Sequence, residues 1–90
     1  MVLAFTALSA DAQERFSPKV KTNAAHILNE RGVAKFRVGQ WAEALEQFRG
    51  AVEVDPDFAV AYNNLGTTYN ELKRYDEAVV MLSSAVRLKP

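Results

Sequence analysis

Few residues in this chain have the types and spacing needed for catalysis or metal binding. His26 is the only histidine and cysteine is absent, so there is no thiolate nucleophile and no disulfide framework. No carboxylate partners His26 at metal-ligand spacing, and a surface or groove position suits it better than a role as ligand or base. Ser83 and Ser84 lack the strand–turn–helix context of a nucleophile, and Gly32 and Gly66 are single glycines inside helical patterns rather than a phosphate-binding loop. We therefore predict that the chain is not an enzyme and holds no cofactor or metal.

Length and charge narrow the class of protein further. The chain has 90 residues, with 11 basic and 11 acidic side chains, so we expect at most one small domain. The balanced charge gives no reason to expect a nucleic-acid partner, and the aromatic residues occupy packing positions rather than base-stacking ones. No apolar run approaches the roughly 18 residues of a membrane-spanning helix, so membrane insertion is not expected either.

Apolar residues recur at spacings of three and four along most of the chain, which predicts helices, and no stretch alternates as a strand would. Three turn signals interrupt this pattern, namely Gly39, Asp55-Pro56 and Lys73-Arg74. Pro18 suits the first turn of a helix, and Asp57 is expected to cap the third helix. The predicted helices cover about residues 18–38, 41–54, 58–72 and 75–88, which form two antiparallel hairpins.

The second half of the chain repeats the first half at a distance of 34 residues. Identical residues recur at this distance as Ala25 and Ala59, Gly32 and Gly66, Glu43 and Glu77, Ala44 and Ala78, Ala51 and Ala85, Val52 and Val86, and Pro56 and Pro90. A fixed period of this size is typical of stacked supersecondary units. We expect Gly32 and Gly66 to lie where the two helices of each hairpin come closest. Trp41 and Tyr75 are expected to fill equivalent spaces in the two units.

The repeated pattern resembles the tetratricopeptide repeat family, whose signature is W-x₂-L-G-x₂-Y…A-x₃-F…P at a period of 34 residues. The second unit matches it through Tyr62, Leu65, Gly66, Tyr69, Ala78, Leu82, Ala85 and Pro90, and the first through Leu28, Gly32, Ala44, Phe48, Ala51 and Pro56. The first unit departs from it at Arg31 and Lys35, where a leucine and a tyrosine are usual. The resemblance implies two repeats, Ala25–Pro56 and Ala59–Pro90, in a domain covering residues 23–90. The implied fold is all-α, an α-solenoid of two antiparallel helix hairpins that is a fragment of a right-handed superhelix.

In this family the first helices of successive units line a concave groove that binds an extended peptide or a partner helix. Carried over by position, the candidate groove residues are Asn29, Val33, Phe36, Arg37, Val60, Asn63, Asn64, Thr67 and Asn70. Asn64 stands where peptide-binding relatives use an amide to hydrogen-bond the ligand backbone, because an amide both donates and accepts. A solvated helix surface is the alternative interpretation of Asn63 and Asn64. The terminal-carboxylate clamp of some relatives is not expected, since Asn29 and Val33 replace its first lysine and asparagine.

The amino terminus has a different composition from the rest of the chain. Residues 1–12 hold a short apolar run from Val2 to Leu8 and then the small-x-small pattern Ala10-Asp11-Ala12, which is typical of a signal-peptidase site. They are interpreted either as a truncated signal peptide or as an unstructured terminus, and residues 13–22 as a polar lead-in. A signal remnant would place the protein in the periplasm or outside the cell, and its absence would place it in the cytoplasm.

These observations favour a non-enzymatic protein–protein interaction module that binds a peptide or partner helix in its concave groove and scaffolds an assembly. The alternative is a regulatory or docking fragment of a larger multi-domain protein whose catalytic part lies beyond residue 90. Repeat arrays normally need three or more units, and their end repeats need a polar outer face. In this chain we expect the outer side of the last helix to be apolar instead. Val79, Leu82 and Val86 on that side predict either a longer array or self-association through the uncapped helix.

Overall fold

Four helices make up the computed structural model, which describes the backbone of residues 18–88 and the side chains of residues 23–88. They are α1 (Pro18–Arg37), α2 (Trp41–Val54), α3 (Ala59–Glu71) and α4 (Tyr75–Leu88). No strand occurs between residues 18 and 88, so the all-α prediction is confirmed. The predicted signal peptide at residues 1–12 and the start of the predicted lead-in lie outside the described residues. Within the described part of the chain, no helix is both long and apolar enough to cross a membrane.

The turn inside each hairpin is built in the same way. After α1, the N–H of Gly39 donates to the carbonyl of Phe36 and the N–H of Gln40 donates to that of Lys35, both at 3.0 Å. This pair of bonds is a Schellman motif, and Gly39 adopts the left-handed conformation that the motif requires, with φ at 78°. After α3, Lys73 repeats it with a φ of 61°. A lysine in this conformation has a steric cost that glycine avoids.

The connection between the two hairpins differs from the prediction that Asp57 caps α3. The residue at the cap position is Phe58, and no side chain accepts a hydrogen bond from the first turn. Asp55 takes the structural role instead, because its Oδ1 accepts a hydrogen bond from the N–H of Asp57 at 3.1 Å. An aspartate side chain that bonds the backbone two residues later forms an Asx turn. The turn around Pro56 is therefore stabilised before α3 begins, rather than at its first turn.

The two helices of each hairpin approach closely at a glycine, as predicted. A Cβ atom at Gly32 would lie 2.6 Å from Cδ1 of Phe48, and one at Gly66 would lie 2.6 Å from Cγ of Leu82. Because Phe48 and Leu82 are themselves 34 positions apart, the two hairpins have the same internal packing. A side chain at either glycine would push the facing helix away.

The main core joins the two hairpins through six buried residues, namely Ala44, Leu45, Phe48, Leu65, Tyr69 and Ala78. A second, smaller cluster contains Ala25, Ala51 and Ala61, all fully buried. Three alanines in contact allow α3 to lie in the furrow between α1 and α2, and α3 packs against both of those helices. The stacking of the second hairpin on the first therefore depends on small side chains at the crossing point.

The expectation that Trp41 and Tyr75 occupy equivalent surroundings is wrong. Trp41 is half-buried, with its ring 4.7 Å from that of Phe36 in an edge-to-face arrangement, whereas Tyr75 is 58% exposed. The physical reason is the residue that faces them. Phe36 is replaced 34 positions later by Asn70, which is exposed and offers no ring to pack against.

Lys35, which stands where the family usually has a tyrosine, pairs with a carboxylate on the facing helix. The Nζ atom of Lys35 lies 2.9 Å from a carboxylate oxygen of Glu43, so the two helices of the first hairpin are joined by an exposed ion pair. In the second hairpin Tyr69 is buried, and the guanidinium of Arg74 lies 4.9 Å from its ring centroid. Arg74 also donates two hydrogen bonds to Glu77, and these bonds raise the pKa of Arg74. In each hairpin a basic side chain therefore pairs with the glutamate at the same repeat position, Glu43 or Glu77.

Candidate functional site

A pocket of about 160 Å³ lies between α1 and α3. It is lined by Val33, Phe36, Arg37, Phe48, Asn64 and Thr67, which we call the groove pocket. Five of these six residues belong to the groove set derived from the sequence. The pocket is on the side of the hairpins where the first helices of the two repeats are neighbours.

Helix geometry explains why these residues meet. Val33, Phe36 and Arg37 lie in the last two turns of α1, at spacings of three and four that place them on one helix face. Asn64 and Thr67 are three positions apart on α3 and share a face in the same way. Val33 and Phe36 are partly buried against the main core, which fixes the apolar wall of the pocket.

The floor of the groove pocket was not predicted from the sequence. It is formed by Phe48 of α2, which is almost fully buried. Gly32 makes this placement possible, because the aromatic ring occupies the space that a side chain at Gly32 would fill. From the sequence, the repeat positions of Gly32 and Phe48 indicate only a packing role. The same contact that closes the hairpin therefore also supplies the apolar base of the pocket.

Two of the four asparagines of the predicted site, Asn29 and Asn64, form a direct hydrogen bond. Nδ2 of Asn64 donates to Oδ1 of Asn29 at 2.8 Å, and Asn29 is only 4% exposed. A buried amide requires a partner, and Asn64 supplies it across the junction between the repeats. Asn29 is therefore bonded to Asn64 and is not among the residues that line the groove pocket. Asn64 itself is half-buried and lines the pocket, with one further amide hydrogen and its own oxygen available for bonding.

The remaining predicted residues lie outside the groove pocket. Val60 and Asn63 are exposed and line a second depression of about 330 Å³ at the far end of the second hairpin, together with Ala59, Leu82, Ala85 and Val86. We call these six residues the open-end face. Asn70 is exposed, and neither its side chain nor its backbone lines the groove pocket or the open-end face.

His26 has the surroundings of a surface residue. It is exposed and its Nε2 lies 3.9 Å from Oε1 of Glu30, one helical turn further along α1. The sequence interpretation overlooked this carboxylate partner, which follows from the i,i+4 spacing on a helix. Among the residues that the structure describes, no three His, Cys, Asp or Glu side chains come together in a group that could hold a metal ion.

Two hairpins with the same turn, the same glycine contact and a shared core define a helical-repeat protein. The sequence profile of the tetratricopeptide repeat matches residues 23–90, and the chain belongs to that family. This repeat domain is a non-catalytic fold of protein–protein interaction.

Several curated proteins share the repeat region. The chain is 32% identical over 66 residues to the probable UDP-N-acetylglucosamine–peptide N-acetylglucosaminyltransferase SPINDLY of Oryza sativa subsp. japonica, covering 73% of the chain and 7% of that protein. It is 39% identical over 66 residues to the protein O-mannosyl-transferase Tmtc3 of Drosophila melanogaster, with the same coverage of 73% and 7%. It is also 29% identical over 72 residues to the small glutamine-rich tetratricopeptide repeat-containing protein 2 of Mycosarcoma maydis, covering 80% of the chain and 20% of that protein. The chain thus spans only a small part of the length of these relatives.

Proposed function

We propose that this chain is an interaction module that binds an extended peptide segment of a partner protein between α1 and α3, and so scaffolds an assembly. The observation that supports this function is the groove pocket, where residues from two repeats converge on one apolar depression with polar groups at its edge. Small-molecule and peptide sites commonly combine an apolar cavity with a few placed polar groups.

The size and lining of the pocket indicate which peptide would fit. An apolar cavity of about 150 Å³ is large enough for a benzene ring, so a pocket of about 160 Å³ accepts one large apolar side chain. Val33, Phe36 and Phe48 surround that side chain. Asn64 is placed to hydrogen-bond the backbone of the peptide, since its amide both donates and accepts.

Arg37 adds a preference for charge. It is exposed and lines the edge of the groove pocket, where its planar guanidinium can form paired hydrogen bonds with a carboxylate. The proposed ligand is therefore a segment with a leucine-sized or phenylalanine-sized side chain next to an aspartate, a glutamate or a free carboxyl terminus.

The test uses peptides selected from a random display library against the intact chain. A Thr67→Phe variant places a ring in the groove pocket from an exposed position, so the fold should be retained. We expect the dissociation constant of a selected peptide, measured by fluorescence anisotropy, to rise about tenfold or more, which corresponds to about 1.4 kcal/mol.

Asn70→Phe is the matched control, because Asn70 lies on the same helix, is also exposed and lines no part of the groove pocket. It should bind the peptide as the unmodified chain does. Equal affinities for the two phenylalanine variants would contradict the proposal, as would a library that yields no peptide with an apolar anchor.

The second candidate function is substrate docking within a larger multi-domain enzyme. It is favoured by the similarity to SPINDLY and Tmtc3, which are named as an N-acetylglucosaminyltransferase and an O-mannosyl-transferase; the chain matches 7% of the length of each. Under this proposal the groove pocket would hold a segment of the substrate protein. Sequencing the gene downstream of the codon for Pro90 tests it, since a following transferase domain would support this function and an uninterrupted repeat array would contradict it.

A further inference from the structure

The wall of the groove pocket that α3 forms has two polar side chains, Asn64 and Thr67. The hydroxyl of Thr67 donates its hydrogen to the backbone carbonyl of Asn63 at 3.0 Å. Because a hydroxyl has only one hydrogen, Thr67 has no donor left for a ligand and offers its methyl group and the lone pairs of its oxygen. A peptide backbone that forms hydrogen bonds with this wall therefore depends mainly on the amide of Asn64.

Asn64 is held at both its backbone and its side chain. The hydroxyl of the fully buried Thr68 donates to the backbone carbonyl of Asn64 at 2.7 Å. The side-chain amide donates from Nδ2 to Oδ1 of Asn29 at 2.8 Å. If the amide of Asn64 turned by 180°, its oxygen would face the oxygen of Asn29, and two acceptors form no hydrogen bond. The bond to Asn29 therefore fixes which side of the Asn64 amide carries the oxygen.

We propose that Asn29 is a positioning residue, which holds the amide of Asn64 so that its Oδ1 accepts a hydrogen bond from a backbone N–H of the bound peptide. This inference rests on the proposed function and adds a requirement to it. The groove pocket selects a peptide in which a free N–H lies at or next to the residue with the apolar side chain. Proline at that point is rejected, because proline has no backbone N–H.

The opposite wall has the complementary hydrogen-bonding character. Arg37 of α1 lines it, and a guanidinium donates hydrogen bonds but accepts none. The α1 side of the pocket therefore presents donors at its edge, whereas the α3 side presents an acceptor. Since a peptide carries both N–H and C=O groups along its backbone, the two walls together determine which edge of the peptide faces each helix.

A purely structural role for the Asn29–Asn64 bond predicts different behaviour. In that case removal of the bond lowers the stability of the chain, but it does not change how well the chain distinguishes two peptides that differ in one N–H. The discriminating quantity is therefore the ratio of the dissociation constants of those two peptides. Effects that both peptides share, such as a loss of folded protein or a general change of charge, cancel in this ratio.

The probes are a peptide selected from the display library and its ester analogues, in each of which an oxygen replaces one backbone N–H. This replacement removes the donor without adding a methyl group. At one N–H at or next to the apolar residue, we expect the ester to raise the dissociation constant, measured by fluorescence anisotropy, about tenfold. An ester at a position remote from the apolar residue is the matched control and should bind as the parent peptide does.

Two substitutions in the chain test the arrangement of the amides. Asn29→Leu removes the acceptor for Nδ2 of Asn64 and keeps a side chain of similar size. The amide of Asn64 can then turn, so the ratio should fall from about ten to about two or less. Asn64→Asp is at a half-buried position, so the fold should be retained even if Asn29→Leu does not fold.

The Asn64→Asp variant tests the acceptor directly. A carboxylate accepts hydrogen bonds and donates none, so the ratio should stay at about ten or rise. Asn70→Asp adds the same charge on the same helix at an exposed position outside the groove pocket. It should bind both peptides as the unmodified chain does.

Three results would overturn the inference. They are an unchanged ratio in Asn29→Leu, a ratio near one in Asn64→Asp, and a set of ester analogues that all bind as tightly as the remote control. Thr67→Phe distinguishes these failures from failure of the proposed function. If Thr67→Phe weakens binding of the parent peptide while every ester analogue binds normally, the peptide occupies the groove pocket and only the role given to Asn29 and Asn64 is refuted. If Thr67→Phe leaves binding unchanged, both proposals are refuted together.

Discussion

Replacing Gly66 with alanine is expected to destabilise the chain, although alanine is the better helix former. The gain in helix propensity is about 1 kcal/mol. Against it, the new Cβ would lie 2.6 Å from Cγ of Leu82 and 3.2 Å from the backbone oxygen of Ala78. Leu82 can shift to some extent, but the backbone of α4 can move only if the hairpin opens. Overpacking of this kind costs about 1–3 kcal/mol, so we expect a net loss of about 1 kcal/mol.

Gly50 provides the matched control, since it also lies inside a helix. A Cβ there would lie 3.4 Å from Cδ1 and 3.7 Å from Cδ2 of Leu28, which is ordinary van der Waals contact. Gly50→Ala should therefore stabilise the chain by about 0.5–1 kcal/mol. The second repeat already carries a residue with a Cβ at this position, Ser84.

Urea denaturation followed by circular dichroism measures both effects. A change in the midpoint at constant slope reports the free energy of unfolding, and the two variants should move the midpoint in opposite directions. If Gly66→Ala were as stable as Gly50→Ala, the close approach of α3 and α4 at Gly66 would be refuted. The packing equivalence of the two hairpins would fail with it.

Three further substitutions test particular contacts by the same denaturation assay. Lys73→Gly should stabilise the chain by about 0.5–1 kcal/mol, because it removes a side chain from a left-handed backbone position; no gain would contradict the strained turn. Gln47→Met should stabilise it by about 1 kcal/mol, because Oε1 of Gln47 is buried and has no hydrogen-bond partner among the described residues, and because Met81 fills the equivalent place beside the core. Alanine substitutions of Asn29 and Asn64, singly and together, should show a coupling energy of about 1 kcal/mol, and additive losses would exclude the amide pair.

The helices and their pairing could be predicted from the sequence because the same residue pattern recurs after 34 positions. Each glycine and alanine that meets the facing helix recurs at the same distance, so two independent copies indicate one packing scheme. The end of α2 follows from the turn signal Asp55-Pro56, and the start of α4 follows from Lys73-Arg74. Gly39 also stops α1 as predicted, because its role depends only on backbone conformation.

Features that depend on which two side chains are in contact could not be predicted in this way. Tyr75 is exposed because Asn70 offers no aromatic ring to pack against, whereas Phe36 offers one to Trp41. A comparison of the repeats position by position pairs Trp41 with Tyr75 but does not consider which side chain each of them contacts. The Asn29–Asn64 hydrogen bond joins residues 35 positions apart, one more than the period. A search for equivalent positions therefore misses it.

The composition of the groove pocket was predictable only in part for the same reason. Its walls come from the faces of α1 and α3, which the family resemblance identifies. Its floor comes from Phe48 on α2, a residue with an evident packing role in its own hairpin. One side chain thus serves both the core and the pocket, and sequence spacing alone does not reveal the second role.

The most direct measurement is a set of intermolecular nuclear Overhauser effects between the intact chain and a selected peptide. We predict contacts from the apolar side chain of the peptide to the methyl groups of Val33 and Thr67 and to the ring of Phe36. Contacts confined to Val79 and Val80, which are 63% and 56% exposed on α4, would place the ligand outside the groove pocket and contradict the proposed function.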